Sequence, residues 1–214
     1  MERTIYITES IVPSTQANEK EAPLVQRLTT EYHKIAQGSV KEPIKVLIDT
    51  PGGDLKTALY IYDLLRSSGA PIHTYAMSEV SSAGVLLLLA GDKRIAFPNS
   101  EIMTHTSFRS VSARVNEFES SQEFLNEQDR RYTKLFRERT KTSAKAFKKL
   151  HATINFMWPE EAKKMGIITD IVEKYPSEFF AKIETTNPER HALLQEAGIH
   201  MQNLISTIGE LGNS

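Results

Sequence analysis

A compact run of β-formers, Ile44-Lys45-Val46-Leu47-Ile48, breaks at Thr50-Pro51-Gly52-Gly53 and gives way to Leu55, Ala58, Leu59 and Leu65 at helical spacing. A buried strand that hands over to an amphipathic helix through a glycine turn has few ways to fold, because the helix must return to cover the strand. The step recurs. Ile72 to Ala76 reads as a strand, Ser82 to Ala90 as an apolar helix, and Lys93 to Phe97 and Ile102 to Thr104 as further strands. Upstream, Ile5 to Ile11 reads as a short strand and Pro13 to Glu21 as a polar connection, with Leu24, Leu28, Tyr32 and Ile35 marking a helix that stops at Gly38. This alternation predicts an α/β protein with a parallel sheet and covering helices.

Downstream the pattern changes. From Val115 to about Arg139 the apolar positions Phe118, Leu125, Tyr132 and Leu135 predict a long helix with a narrow stripe, suited to an interaction arm rather than a core. A shorter helix around Ala144 to Leu150, a turn or two from Pro159 to Met165, and a closing strand from Ile167 to Val172 follow. In the tail from Pro176, Asn187-Pro188-Glu189 is a helix start, with the amide capping and proline at the first helical position.

Composition removes whole chemistries. With no cysteine, the chain has no disulfide, thiolate zinc site, Fe–S ligation or cysteine nucleophile. The six histidines, at positions 33, 73, 105, 151, 191 and 200, lack ligand spacing, and no Gly-Lys-Ser/Thr phosphate loop exists. Neither a metal nor a cofactor is expected. The most apolar stretch, Ala83 to Ala90, falls well short of the ~20 residues that span a bilayer, so no membrane crossing is expected. The N-terminus, Met1-Glu2-Arg3-Thr4-Ile5-Tyr6, carries no apolar secretion segment, and the expected location is cytoplasmic. Overall charge is −1, but Arg130 to Lys149 holds nine Lys or Arg against the single acid Glu138. Interleaved with Tyr132 and Phe136, this stretch could read RNA or DNA. A solvated outer face on the long helix is the favoured alternative, so nucleic acid is not the expected partner.

The candidate chemistry gathers at the bends. Pro51-Gly52-Gly53 and Ser81-Ser82-Ala83-Gly84 each sit where a strand hands over to a helix, with backbone N–H groups free to meet a ligand. His105 ends a strand, where its ring can project over the sheet's edge. Each has a plainer reading, as a tight turn, a helix cap and a structural histidine. Together a serine, a histidine and paired amides in one α/β sheet point to acyl transfer, with hydroxyl attack, an imidazole base and an N–H-lined oxyanion site.

These residues resemble a family. Arg3 to about Lys174 is similar to the proteolytic subunit of the Clp protease, ClpP, a self-compartmentalising serine peptidase with a crotonase-like fold. The family's Ser-Pro-Gly-Gly loop corresponds to Thr50-Pro51-Gly52-Gly53, and its Ala-Ser-Met-Gly motif to Ser81-Ser82-Ala83-Gly84. Its Pro-Asn-Ser…Met-Ile-His run corresponds to Pro98-Asn99-Ser100…Met103-Thr104-His105, and its Phe-Met-Ser-Ala-Glu-Glu-Ala to Phe156-Met157-Trp158-Pro159-Glu160-Glu161-Ala162. The resemblance implies a ClpP/crotonase-like fold over residues 1–175, with a parallel-sheet head and a long handle helix at about 111–142, and a partly helical C-terminal extension at 176–214. It implies Ser82 as nucleophile, His105 as base, and the amides of Gly53 and Ala83 as the oxyanion hole. It also implies a homo-oligomer of stacked rings that cuts unfolded polypeptide or short peptides.

Departures qualify these expectations. The family's catalytic Asp falls on Ile154, and Asn155, one position on, is the candidate that could orient His105 as an amide acceptor. Ser78-Glu79-Val80-Ser81 brings a carboxylate near the nucleophile, and the glycines that follow the family's histidine are replaced from Thr106 to Ser110. The chain begins almost at its first strand, ahead of which the family has its axial loops, so a Clp-type ATPase partner stays open. A catalytically impaired structural or regulatory subunit remains an alternative, as does an acyl-CoA enzyme on the same fold, although the latter needs no serine.

Overall fold

The computed structural model describes residues 3–13, 24–38, 40–106 and 118–172. By its contacts the chain divides into two compact units, Met1–Glu173 and Lys174–Ser214, and all described residues belong to the first. Most of the expected Pro13–Glu21 connection, the start of the expected handle at 111–117, and the expected extension at 176–214 lie outside the described residues.

Seven strands form one mixed sheet. β1 (Thr4–Ile7), β2 (Ile44–Thr50), β3 (Ile72–Ser81), β4 (Lys93–Ala96) and β7 (Asp170–Ile171) run parallel in that order. β5 (Glu101–Thr104) runs parallel to β3, and β6 (Asn155–Met157) lies antiparallel to β5. Val46, Leu47 and Ile48 are all buried in succession, as a central strand covered on both faces requires. The covering helices are α1 (Leu24–Ala36), α2 (Leu55–Arg66), α3 (Gly84–Leu89), α4 (Phe118–Thr140), α5 (Ala144–Leu150) and α6 (Pro159–Lys164). Asp54 starts α2 by accepting hydrogen bonds from the Thr57 N–H at 2.8 Å and hydroxyl at 2.7 Å.

One strand organises the sheet. β3 has ten residues, more than the expected Ile72–Ala76, because it serves two partners in turn. His73 to Ala76 pairs with β4, whereas Glu79 to Ser81 pairs with β5. At the fork the fully buried Ser100 hydroxyl lies 2.8 Å from the Ala76 carbonyl and 2.6 Å from that of Met77, holding the point where the strand changes neighbour. Ser78 and Glu79 break the apolar run, so the second half of this strand is hidden from pattern reading.

Other boundaries move as well. The expected Ile5–Ile11 strand ends at Ile7, and Ile11 instead makes a lone parallel bridge to Gly53. The closing strand shrinks to two residues, because Ile167 and Ile168 are buried in the turn before it. β6 is not expected from sequence at all: three residues at a sheet edge make no periodic signal. α4 confirms a long helix, and its first turns are open, with Phe118 and Phe124 exposed. Phe136 does not interleave with the basic side chains as a stacking surface would require; it is among the core's largest fully buried side chains. No helix of the described residues is long and apolar enough to cross a membrane.

A buried cation ties the far edge together. The Arg94 guanidinium donates to the carbonyls of Ile167 at 2.8 Å, Gly166 at 3.1 Å, Gly91 at 3.3 Å and Arg139 at 3.4 Å, joining β4, the end of α4 and the turn after α6. Burial and the nearby Arg139 hold its pKa below the usual arginine value, with Asp92 opposing. Removing the donor strands these carbonyls. Arg94→Met is expected to lower stability by about 3 kcal/mol in urea unfolding, and Arg94→Lys to recover only part of it, since an ammonium cannot reproduce the planar fork.

Candidate active site

Two turns meet because one of them has no side chains in the way. Gly52 (φ 90°) and Gly53 (φ 140°) follow β2 in conformations that L side chains rarely adopt. A Cβ on Gly52 would come within 2.9 Å of the Ser82 Cβ and 3.1 Å of the Ala83 nitrogen, and would overlap the Ser81 carbonyl. A Cβ on Gly53 would collide with the Ile11 carbonyl. The turn is pinned from behind. The Ile11 N–H donates to the Gly52 carbonyl at 2.8 Å, the Asp54 N–H to that of Ile11 at 2.6 Å, and the Gly52 N–H to the Thr50 hydroxyl at 3.1 Å.

Ser82 stands on a strained elbow between β3 and α3. Its φ of 55° is left-handed, and its N–H donates to the Met103 carbonyl on β5 at 2.8 Å. Its Oγ lies 2.8 Å from Nε2 of His105, which follows β5. The other ring nitrogen, Nδ1, lies 2.6 Å from the Thr106 carbonyl. A carbonyl only accepts, so Nδ1 carries the proton and Nε2 is left to accept from the serine hydroxyl. The amides of Gly53 and Ala83 donate to no protein acceptor among the described residues. Hydroxyl and imidazole therefore meet at the elbow against which the Gly52 turn packs.

Asn155 does not take the place expected of it. It pairs with Thr104 across β5 and β6, one position short of His105, and its buried Nδ2 has no hydrogen-bond partner among the described residues. Adjacent strand residues face opposite ways, so continuing the same register sets Ile154 across from His105. Ile154 is 53% exposed, and Phe156, opposite Met103 on the same face, is 59% exposed. An apolar shelf thus adjoins the imidazole. Glu79 accepts a hydrogen bond from the Ser81 hydroxyl at 2.7 Å, and its N–H meets the Asp49 carboxylate at 3.0 Å, so it braces the strand below Ser82.

Residues 2–175 match the family described as Clp protease. The chain belongs to the Clp protease family. It is 31% identical over 138 residues to the "ATP-dependent Clp protease proteolytic subunit" of Bdellovibrio bacteriovorus, a match covering 62% of this chain and 65% of that relative. The chain thus spans a little under two thirds of the relative's length. Among solved structures it resembles a mutant of ClpP1 from Listeria monocytogenes, with a TM-score of 0.68 and 23% identity over 81% of this chain and 92% of that one, which establishes the ClpP-like fold.

Two residues at this Clp-family site escape sequence reasoning. Thr106 contributes a main-chain oxygen, which every residue type has, and His151 has no spacing that sets it apart. The Thr106 hydroxyl donates to the His151 carbonyl. His151 itself is buried, and burial first, with the positive potential of His105 adding, pushes its imidazole down to about 4; the hydrogen bond to the Phe147 carbonyl opposes this. A histidine whose folded value lies below its unfolded ~6.5 contributes stability that is complete above about pH 6.5. That contribution is lost as pH falls toward 4. On the order of 3 kcal/mol is expected to disappear over this window in urea titrations of the wild type, and His151→Gln to flatten the dependence. A second expectation concerns the elbow. Ser82→Gly and Ser82→Ala both lose the hydroxyl, but only alanine keeps the left-handed strain, so thermal unfolding is expected to find the glycine variant more stable by about 1 kcal/mol.

Proposed function

We propose that the chain is a serine endopeptidase in which Ser82 attacks the peptide carbonyl and His105 is the general base. Nε2 takes the hydroxyl proton as the Oγ–carbon bond forms, and the oxyanion is held by the Gly53 and Ala83 amides. His105 then returns the proton to the leaving amine as the peptide bond breaks, and water hydrolyses the acyl-enzyme by the same steps in reverse order. The observation that carries this reading is the 2.8 Å contact between Ser82 Oγ and His105 Nε2, with the opposite ring nitrogen committed to an acceptor.

The Thr106 carbonyl keeps the tautomer that the base needs, but brings no full negative charge to stabilise imidazolium. Turnover on this reading is slow compared with an enzyme whose histidine faces a carboxylate. Substrates are unfolded polypeptides or short peptides, with a preference for a bulky apolar side chain that can lie on Met103, Ile154 and Phe156. Family membership supports assembly into a homo-oligomer of stacked rings enclosing the site. The same missing charge favours one second reading, a catalytically impaired subunit with a structural or regulatory role.

Treatment with a fluorophosphonate and mapping of the adduct separates the two. Labelling of Ser82 that disappears in Ser82→Ala and His105→Ala is expected for the peptidase; an unlabelled protein, under conditions that label an ordinary serine peptidase, rejects it. Where Ser82 labels, the unmodified Ile154→Asp variant is expected to raise peptide turnover over the unmodified wild type by at least about tenfold, because it places a carboxylate across from His105.

A further inference from the structure

The ring of His151 is more completely held than its place after a short helix requires. It stacks on Phe147 at 4.0 Å between centroids and meets the edges of Phe136 at 4.9 Å and Tyr132 at 5.6 Å. Both nitrogens are occupied: Nδ1 lies 3.0 Å from the Phe147 carbonyl and Nε2 3.1 Å from the Tyr132 hydroxyl. Since the carbonyl only accepts, Nδ1 donates and Nε2 receives the phenol proton, a neutral and fully satisfied imidazole. Tyr132 and Phe136 belong to the long helix α4, so this cage fixes the end of α5 against it.

From that fixed point two hydrogen bonds reach the segment bearing His105. The Thr104 hydroxyl donates to the Leu150 carbonyl at 3.3 Å, and the Thr106 hydroxyl to the carbonyl of His151. The two threonines flank His105 on either side. We infer that Thr106 is a positioning residue for His105, anchored by the caged His151, so that the long helix sets the aim of the imidazole on Ser82. The chain of contacts is continuous: His105 Nδ1–H to the Thr106 carbonyl, Thr106 hydroxyl to the His151 carbonyl, His151 ring to Tyr132. Without the anchor the peptide after His105 can turn, its carbonyl leaves Nδ1, and the imidazole is free to take either tautomer. Thr106 is itself exposed, so its hydroxyl does little for the core.

As it concerns activity, the inference rests on the peptidase reading, but its test has a readout that does not. In histidine-labelled full-length protein, the ring-nitrogen NMR shifts of His105 are expected to report one tautomer, protonated at Nδ1. Thr106→Val is expected to mix the two tautomers, Thr106→Ser to restore the single one, and neither to move the urea midpoint appreciably. Tyr132→Phe, which releases the caged ring, is expected to act in the same direction by a smaller amount. The rate of Ser82 phosphonylation is expected to fall ten- to a hundredfold in Thr106→Val and to return in Thr106→Ser. A single Nδ1–H tautomer surviving in Thr106→Val overturns the proposal. If wild-type Ser82 resists the reagent while the tautomer responds as described, the peptidase reading fails and the tether stands.

Discussion

The close approach of two turns governs this molecule. Parallel strands β2 and β3 end side by side, and the chain leaves each through a bend that packs on the other only because Gly52 presents no Cβ to Ser81, Ser82 and Ala83. Gly84 repeats the requirement one step along, where a Cβ would lie 2.6 Å from the Thr50 methyl. A sheet interior leaves no room to relieve such overlaps, since its apolar contacts are already close-packed. Backbone geometry around these bends is therefore set by the core beneath them, and the strained φ of Ser82 persists because that core overdetermines it.

The fork in β3 is the second constraint. By giving its first half to β4 and its second half to β5, the strand diverts β5 toward the turn that carries Ser82, which brings His105 within reach. The Met103 carbonyl, accepting from the Ser82 N–H, is the stitch between the two. On the proposed reading, the distance between nucleophile and base is thus a property of strand register rather than of loop placement. That separates this arrangement from one in which flexible loops must be ordered before chemistry.

How far the sequence discloses this depends on where each piece of information is stored. The buried strand Ile44–Thr50, the turn at Gly52 and Gly53, and the apolar helix after Ser82 are local and periodic, and they read directly from residue spacing. Ser82 and His105 are legible as motif residues, and the fold adds that they touch. What escapes is stored in pairing or in backbone atoms. β6 is an edge strand of three residues, the polar half of β3 becomes a strand only by finding β5, and Phe136 is buried by what packs on its helix rather than by its neighbours in sequence. The acceptor for His105 escapes for a stronger reason: looking for a carboxylate or amide side chain near Ile154 and Asn155 cannot find a main-chain oxygen.

That oxygen has a further bearing on how such a site tolerates change. A side-chain partner can be lost with a single codon, whereas the peptide group after His105 is present whatever residue occupies position 106. What can vary is only how firmly that peptide is held. A site built this way drifts by degrees, loosening or tightening through hydroxyls and rings well behind the reacting atoms, and offers no one position at which its orienting partner is simply deleted.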